Sequence, residues 1–174
     1  AVDQNVADLG AVGRRQAEQP LAALSANWRI PSLAKLQALF GGALVPGGDA
    51  LVLNFSGGMD GEIEIAQGAP QRFAAELKRI NLVDGDASLQ LNGVSGRLAW
   101  AAAGDFQRSQ IRMDAGRAYG LPLGASEWHL WSRADDIMLT QPVVLPMFDG
   151  ELRISGLSGQ DVQSEQPRWH VSAE

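Results

Sequence analysis

The sequence predicts a mainly β chain: an antiparallel sheet of about ten strands, curled into an open groove or a partly closed barrel, with one short amphipathic helix. Two observations carry that prediction. Apolar residues recur with a period of two along most of the chain, which gives each strand one apolar and one polar face. The runs are short and punctuated by glycine-containing pairs, in a chain with 20 Gly and 8 Pro. Frequent turning of this kind suits a β-protein.

Taken in order, residues 1–23 form a lead-in. Val6 to Ala23 is rich in Ala, Gln, Glu and Arg and reads as a short helix or a loose segment. Leu24, Ala26, Trp28 and Ile30 then share one strand face, with Ser25, Asn27 and Arg29 on the other. Residues 31–41 are the short helix: Pro31 suits a first turn, Leu33, Leu36 and Phe40 fall on one face, and Gly41-Gly42 supply a stop. Its expected place is over an open end of the sheet. Alternation resumes at Leu51, Leu53 and Phe55, then Ile63 and Ile65. It continues at Leu89 and Leu91, at Leu98, Trp100 and Ala102, and at Ile111, Met113 and Ala115. Leu152 and Ile154, then Trp169, Val171 and Ala173, complete the set. Expected turns lie at Gly57-Gly58, Asp60-Gly61, Asp84-Gly85, Gly93, Gly104-Asp105, Asp135-Asp136 and Asp149-Gly150. Two sheets could close their apolar faces as a sandwich, or one could curl into a groove or barrel, and the alternation fits either.

Composition excludes several functions. A net charge of −6 without any basic cluster does not suit a nucleic-acid backbone. The absence of cysteine excludes disulfides, Fe–S clusters and Cys-zinc sites. No stretch approaches the roughly 20 apolar residues needed to span a bilayer. His129 and His170 lack any metal-ligand spacing, so no metal or cofactor is expected. The acidic pairs Glu62/Glu64, Asp84/Asp86 and Asp135/Asp136 sit in or beside expected turns, where they need no catalytic role. No phosphate loop and no nucleophile elbow is present. The chain therefore reads as non-enzymatic. Core packing accounts for most of the five tryptophans. Trp128 and Trp131, three apart, point to opposite sides of a regular strand. A carbohydrate platform would require exposed aromatics grouped with polar side chains.

Two stretches go beyond generic alternation. Leu77-Lys78-Arg79-Ile80-Asn81-Leu82-Val83-Asp84-Gly85 leads into a strand that closes on Leu98 and Trp100. Later, Pro142-Val143-Val144-Leu145-Pro146-Met147-Phe148-Asp149-Gly150-Glu151-Leu152 forms a hairpin pattern. Over residues 77–157 these resemble the YdbH-like proteins of the AsmA-like superfamily, found in the Gram-negative envelope. The resemblance implies a periplasmic groove of stacked strands, tethered to the inner membrane, that carries phospholipid between inner and outer membranes. The whole of 1–174 would then be one β-domain, a section of a longer repetitive chain whose anchor lies elsewhere. Leu51, Leu53, Phe55, Leu89, Leu91, Leu98, Trp100, Ile111 and Met113 are the expected groove lining. Acyl chains and the remainder of the parent chain are the expected partners, and the strand from Arg168 to Ala173 is the expected edge for self-association. The alternative is a β-sandwich module that binds a glycan or a protein.

Overall fold

A computed structural model describes residues 8–13, 23–35, 54–85, 88–162, 164 and 166–174. Thirteen strands run through them: β1 (Asp8–Gly13), β2 (Ala23–Ile30), β3 (Asn54–Ala66), β4 (Ala69–Val83), β5 (Leu89–Ala101), β6 (Gln107–Met113), β7 (Ala115–Ala118), β8 (Leu121–Leu123), β9 (Ser126–Arg133), β10 (Asp136–Leu139), β11 (Val143–Met147), β12 (Gly150–Gln160) and β13 (Arg168–Ala173). All pair antiparallel within one sheet. Three couples, β6 with β7, β8 with β9 and β10 with β11, are each one interrupted strand. The thirteen segments thus make ten rungs, each hydrogen-bonded to the rung before it in sequence. The sheet is open, with β1 paired only to β2 and β13 only to β12 among the described residues.

The lead-in departs from the expected helix or loose segment. Its residues 8–13 are strand β1, in register with Leu24–Arg29 of β2. The free edge of β2 supplies a ladder of backbone donors and acceptors, and this segment, with Gly10 and Gly13 weakening any helix, pairs with it. Of the expected 31–41 helix, residues 33–35 are helical, and 36–41 lie outside the described residues. Ser32 caps it, its Oγ accepting from Lys35 N–H at 3.4 Å. Pro31 therefore sits one position ahead of the cap rather than in the first turn.

Three expected turns are strand interior. Gly57-Gly58 and Asp60-Gly61 lie within β3, and Gly93 within β5. Gly57 (φ 96°) marks a bulge beside Arg79 of β4, itself at φ 50°, and a Cβ on Gly57 would stand 2.5 Å from the Arg79 carbonyl oxygen. Gly93 (φ 65°) continues the row in β5. Side chains stitch the bulges together: Ser95 Oγ accepts from Arg79 N–H at 3.2 Å, and Asn81 Oδ1 accepts from Gly93 N–H at 2.9 Å. Bulges aligned across three rungs bend the sheet coherently. Gly61 has a different reason, since the Trp28 ring lies directly over it. The expected turns at Asp84-Gly85, Gly104-Asp105, Asp135-Asp136 and Asp149-Gly150 do fall between rungs.

Curvature makes the core. Met113 (6% exposed) on β6 packs with Val143 (1%) and Leu145 on β11. Those strands are two rungs apart, roughly 10 Å on a flat sheet at ~4.8 Å per rung. Packing across that gap, over the small Ser126, together with the hydrogen bond from Ser132 of β9 to Ala99 of β5, bends the sheet toward its apolar face. Leu91, Leu123, Trp128, Leu139, Leu152 and Ile154 pack around the same cluster.

At one end of the trough the rungs converge. β5 and β6 are in register only over Ser95–Arg97. Beyond that, Ser109 Oγ accepts from Ala99 N–H at 2.9 Å, and Ser132 Oγ donates to the Ala99 carbonyl at 2.6 Å. Ala101 and Trp100 bond instead to the β9–β10 turn: Ala134 N–H donates to Ala101 O at 2.8 Å, and the Trp100 indole N–H donates to Ala134 O at 2.7 Å.

Candidate functional site: the concave apolar face

Residues directly opposite one another in a sheet share a face, so the register sorts the side chains. Phe55 stands opposite Leu82, and Leu82 opposite Leu91. Phe73 pairs with Trp100, and Ala75 with Leu98. Ile111 lies between Gly96 and Trp128. Of the nine expected lining residues, Phe55, Leu89, Leu91, Leu98, Trp100, Ile111 and Met113 occupy one face. Met113 is buried and the other six are half-buried. Leu51 and Leu53 lie outside the described residues.

The same face holds residues that alternation did not single out. Leu77, Ile80 and Leu82 of β4 belong to it, but the bulge at Arg79 shifts their spacing by one and hides the period of two. Val143 and Leu145 sit in the unbroken apolar run Val143–Met147, where alternation has no contrast to show. Trp28 joins them through its stack on Phe73, at 6.1 Å between ring centroids.

The opposite, convex face is polar. Asn54, Arg97 and Arg112 are exposed, as expected, while Gln90 is half-buried and hydrogen-bonded to Asn92 at 3.3 Å. Ion pairs cross it from rung to rung, Asp60 with Lys78 and Arg29 and Glu76 with Arg97, while Glu127 meets His129 along β9 itself at 3.0 Å. Hydrogen bonding from Lys78 holds the Asp60 carboxyl below its ordinary range. The Gln110 amide, with His129 adding, does the same for Glu127. The Ser88 hydroxyl, with backbone N–H groups, lowers Asp84 in the β4–β5 turn. His170 meets Ser172 at 3.3 Å. Among the described residues no group of three His, Cys, Asp or Glu side chains is placed to hold a metal.

The edge strand β13 leaves apolar surface uncovered. Trp169 and Val171 are 55% and 56% exposed, opposite Gly159 and Leu157 on the concave face. Glu174 exchanges both backbone hydrogen bonds with Arg153, at 3.0 and 2.8 Å. By antiparallel alternation, the N–H groups of Val171 and Trp169 therefore point away from β12, to the open edge.

Among the described residues, no helix is long and apolar enough to cross a membrane. No protein-family model matches the chain, and no curated protein or solved structure matches it either.

Proposed function

We propose that this chain is a non-catalytic section of a periplasmic β-groove that takes phospholipid acyl chains along its concave face and supports their transfer between the inner and outer membranes. The observation that carries the reading is one continuous, concave apolar face on an open sheet whose convex face is charged. That arrangement suits an amphiphile, with acyl chains against the trough and the polar headgroup toward water. The resemblance to the YdbH-like proteins supplies the envelope and the lipid. The exposed Trp169 and Val171 on an open edge favour continuation of the sheet by a further strand, whether from a longer chain or a second copy.

The test is photo-crosslinking in Gram-negative cells from reactive residues placed at Leu91 and Ile111. The expected product is a phospholipid adduct at both positions and none from Arg97 or Arg112 on the convex face. Leu91→Asp should abolish the Ile111 adduct, because an unpaired carboxylate in an apolar channel costs several kcal/mol, in the range of ~2–7 even for a neutral polar group. Adducts only to protein from every concave position would replace the groove with an interaction module.

A further inference from the structure

Trp28, Trp100, Trp128 and Trp169 all belong to the concave face, whereas Trp131 stands on the convex side, opposite Arg108 and Met138. It is 37% exposed. It borders a convex-side cleft of about 400 Å³, lined also by Arg97, Arg108, Gln110, His129 and Gln141. That volume lies within the ~300–1,000 Å³ of small-ligand sites. We propose that this cleft binds an acidic saccharide, independently of what the concave face carries.

Three features of the site lead to that class. The first is charge. In a chain with 20 Asp and Glu against 14 Lys and Arg, this cleft is lined by two arginines and a histidine and by no carboxylate. Glu127 lies just outside and is engaged by Gln110 and His129. Arg108 has no carboxylate partner among the described residues; its guanidinium rests 5.9 Å from the Trp131 ring centroid. Arg97 has only Glu76, at 3.8 Å, with both side chains more than half exposed. Two guanidinium forks are thus available to a carboxylate or phosphate.

The second is a rigid platform. Phe106 stacks on Trp131 at 6.0 Å, and Arg133 lies 4.3 Å from the Phe106 centroid. An indole already fixed by its neighbours loses little entropy when a ligand settles on it. Phe106 and Arg108 against the ring leave it only partly open, at 37% exposure. That suits the C–H face of a sugar better than the full plane of a nucleobase. The third is hydrogen bonding. Gln141 makes no hydrogen bond among the described residues, and the Gln110 carbonyl and the second His129 ring nitrogen are unused, which leaves groups for ring hydroxyls.

Titration of the purified chain, followed by isothermal calorimetry, with trigalacturonic acid and in parallel with neutral galactotriose tests this. The acidic trisaccharide is expected to bind at least about tenfold more tightly, the scale of one charge-assisted hydrogen bond. Arg108→Gln should erase that preference while leaving weak binding of both sugars. Trp131→Ala should weaken both by about tenfold or more, and Trp131→Phe should recover part of the loss, which separates loss of platform from loss of fold. Equal binding of acidic and neutral sugars overturns the proposal. So does displacement by inorganic phosphate or uridine monophosphate at equal concentration, or acidic-sugar binding that Trp131→Ala leaves unchanged.

Discussion

Gly61 shows how much one missing Cβ can decide. A Cβ there would stand 2.2 Å from Cζ2 of Trp28, so the glycine exists for the indole that crosses it. Gly159 repeats the device on the same face at the other end of the sheet, where a Cβ would stand 2.7 Å from the Trp169 ring. Read along the sequence, Asp60-Gly61 is a turn signal; the reason for its glycine lies on the neighbouring strand and has no local mark. Gly61→Val should destabilise the fold by about 1–3 kcal/mol through forced overpacking, read as a lower urea midpoint together with a shift in tryptophan emission. The three perturbed carboxyls give a second expectation at this scale. Asp60, Asp84 and Glu127 are all held below their ordinary range in the fold. Their contribution is therefore full above the unfolded carboxylate pKa of ~4 and is lost as pH falls through the lower folded values. Melting temperature should hold from neutral pH down to about 5 and decline below ~4. Asp84→Asn should remove part of that acid-side slope. An acid limb that stays flat would contradict these hydrogen bonds.

At the scale of the strand, the alternation at Leu24–Ile30, Leu89–Leu91, Leu98–Trp100 and Ile111–Met113 led directly to the concave face. Those stretches have contrasting neighbours, and in β5 they lie on either side of the Gly93 bulge rather than across it. What the alternation could not reveal were the features created by pairing: the bulges that disguise β4, the strand β1, and the turn Gln67-Gly68 that closes β3 onto β4. The end of β5 is a further case. Ser109 and Ser132 look like ordinary strand polar residues, yet they are buried and complete the hydrogen bonding of Ala99. Ser109→Ala would leave the Ala99 N–H without a partner inside the fold, at about 1–3 kcal/mol, measurable as a lowered urea midpoint. Ser109→Thr, which keeps the hydroxyl, should lose less. Strand β13 offers a cleaner test. Because the Val171 N–H faces outward, Val171→Pro removes a donor from the open edge without breaking the ladder to β12. Sedimentation should show concentration-dependent association of the parent chain, reduced in the variant. A parent that stays monomeric at high concentration would show that the edge is already satisfied.

Taken whole, the ten rungs form a meander in which each pairs with its predecessor and its successor. Periodicity pointed to an antiparallel sheet that could curl or stack in pairs, and it did not locate the bend. The bend comes from bulges aligned across β3, β4 and β5 and from the packing of Met113 on Val143 and Leu145, relations between residues from a dozen to about 30 apart. A sheet built mostly by neighbouring rungs should lose structure from its edges inward, since stability is then close to a sum of rung-to-rung terms. Hydrogen exchange is expected to release β13 at lower free energy than β5, with intermediate values between. Uniform protection across all rungs would mean that the trough unfolds as a single unit.

The meander also sets a rule for growth. Every rung reverses the chain, so adding one alone would deliver the next strand to the wrong end; adding two restores direction and leaves β10 to β13 with their old neighbours, at the loss of the Ala134 hydrogen bonds to Trp100 and Ala101. A tandem copy of 107–133, which spans two rungs, should be absorbed with β10 to β13 unchanged, lengthening the trough by roughly 10 Å at ~4.8 Å per rung. Length in such an architecture is a variable that gene duplication can adjust in steps of one hairpin.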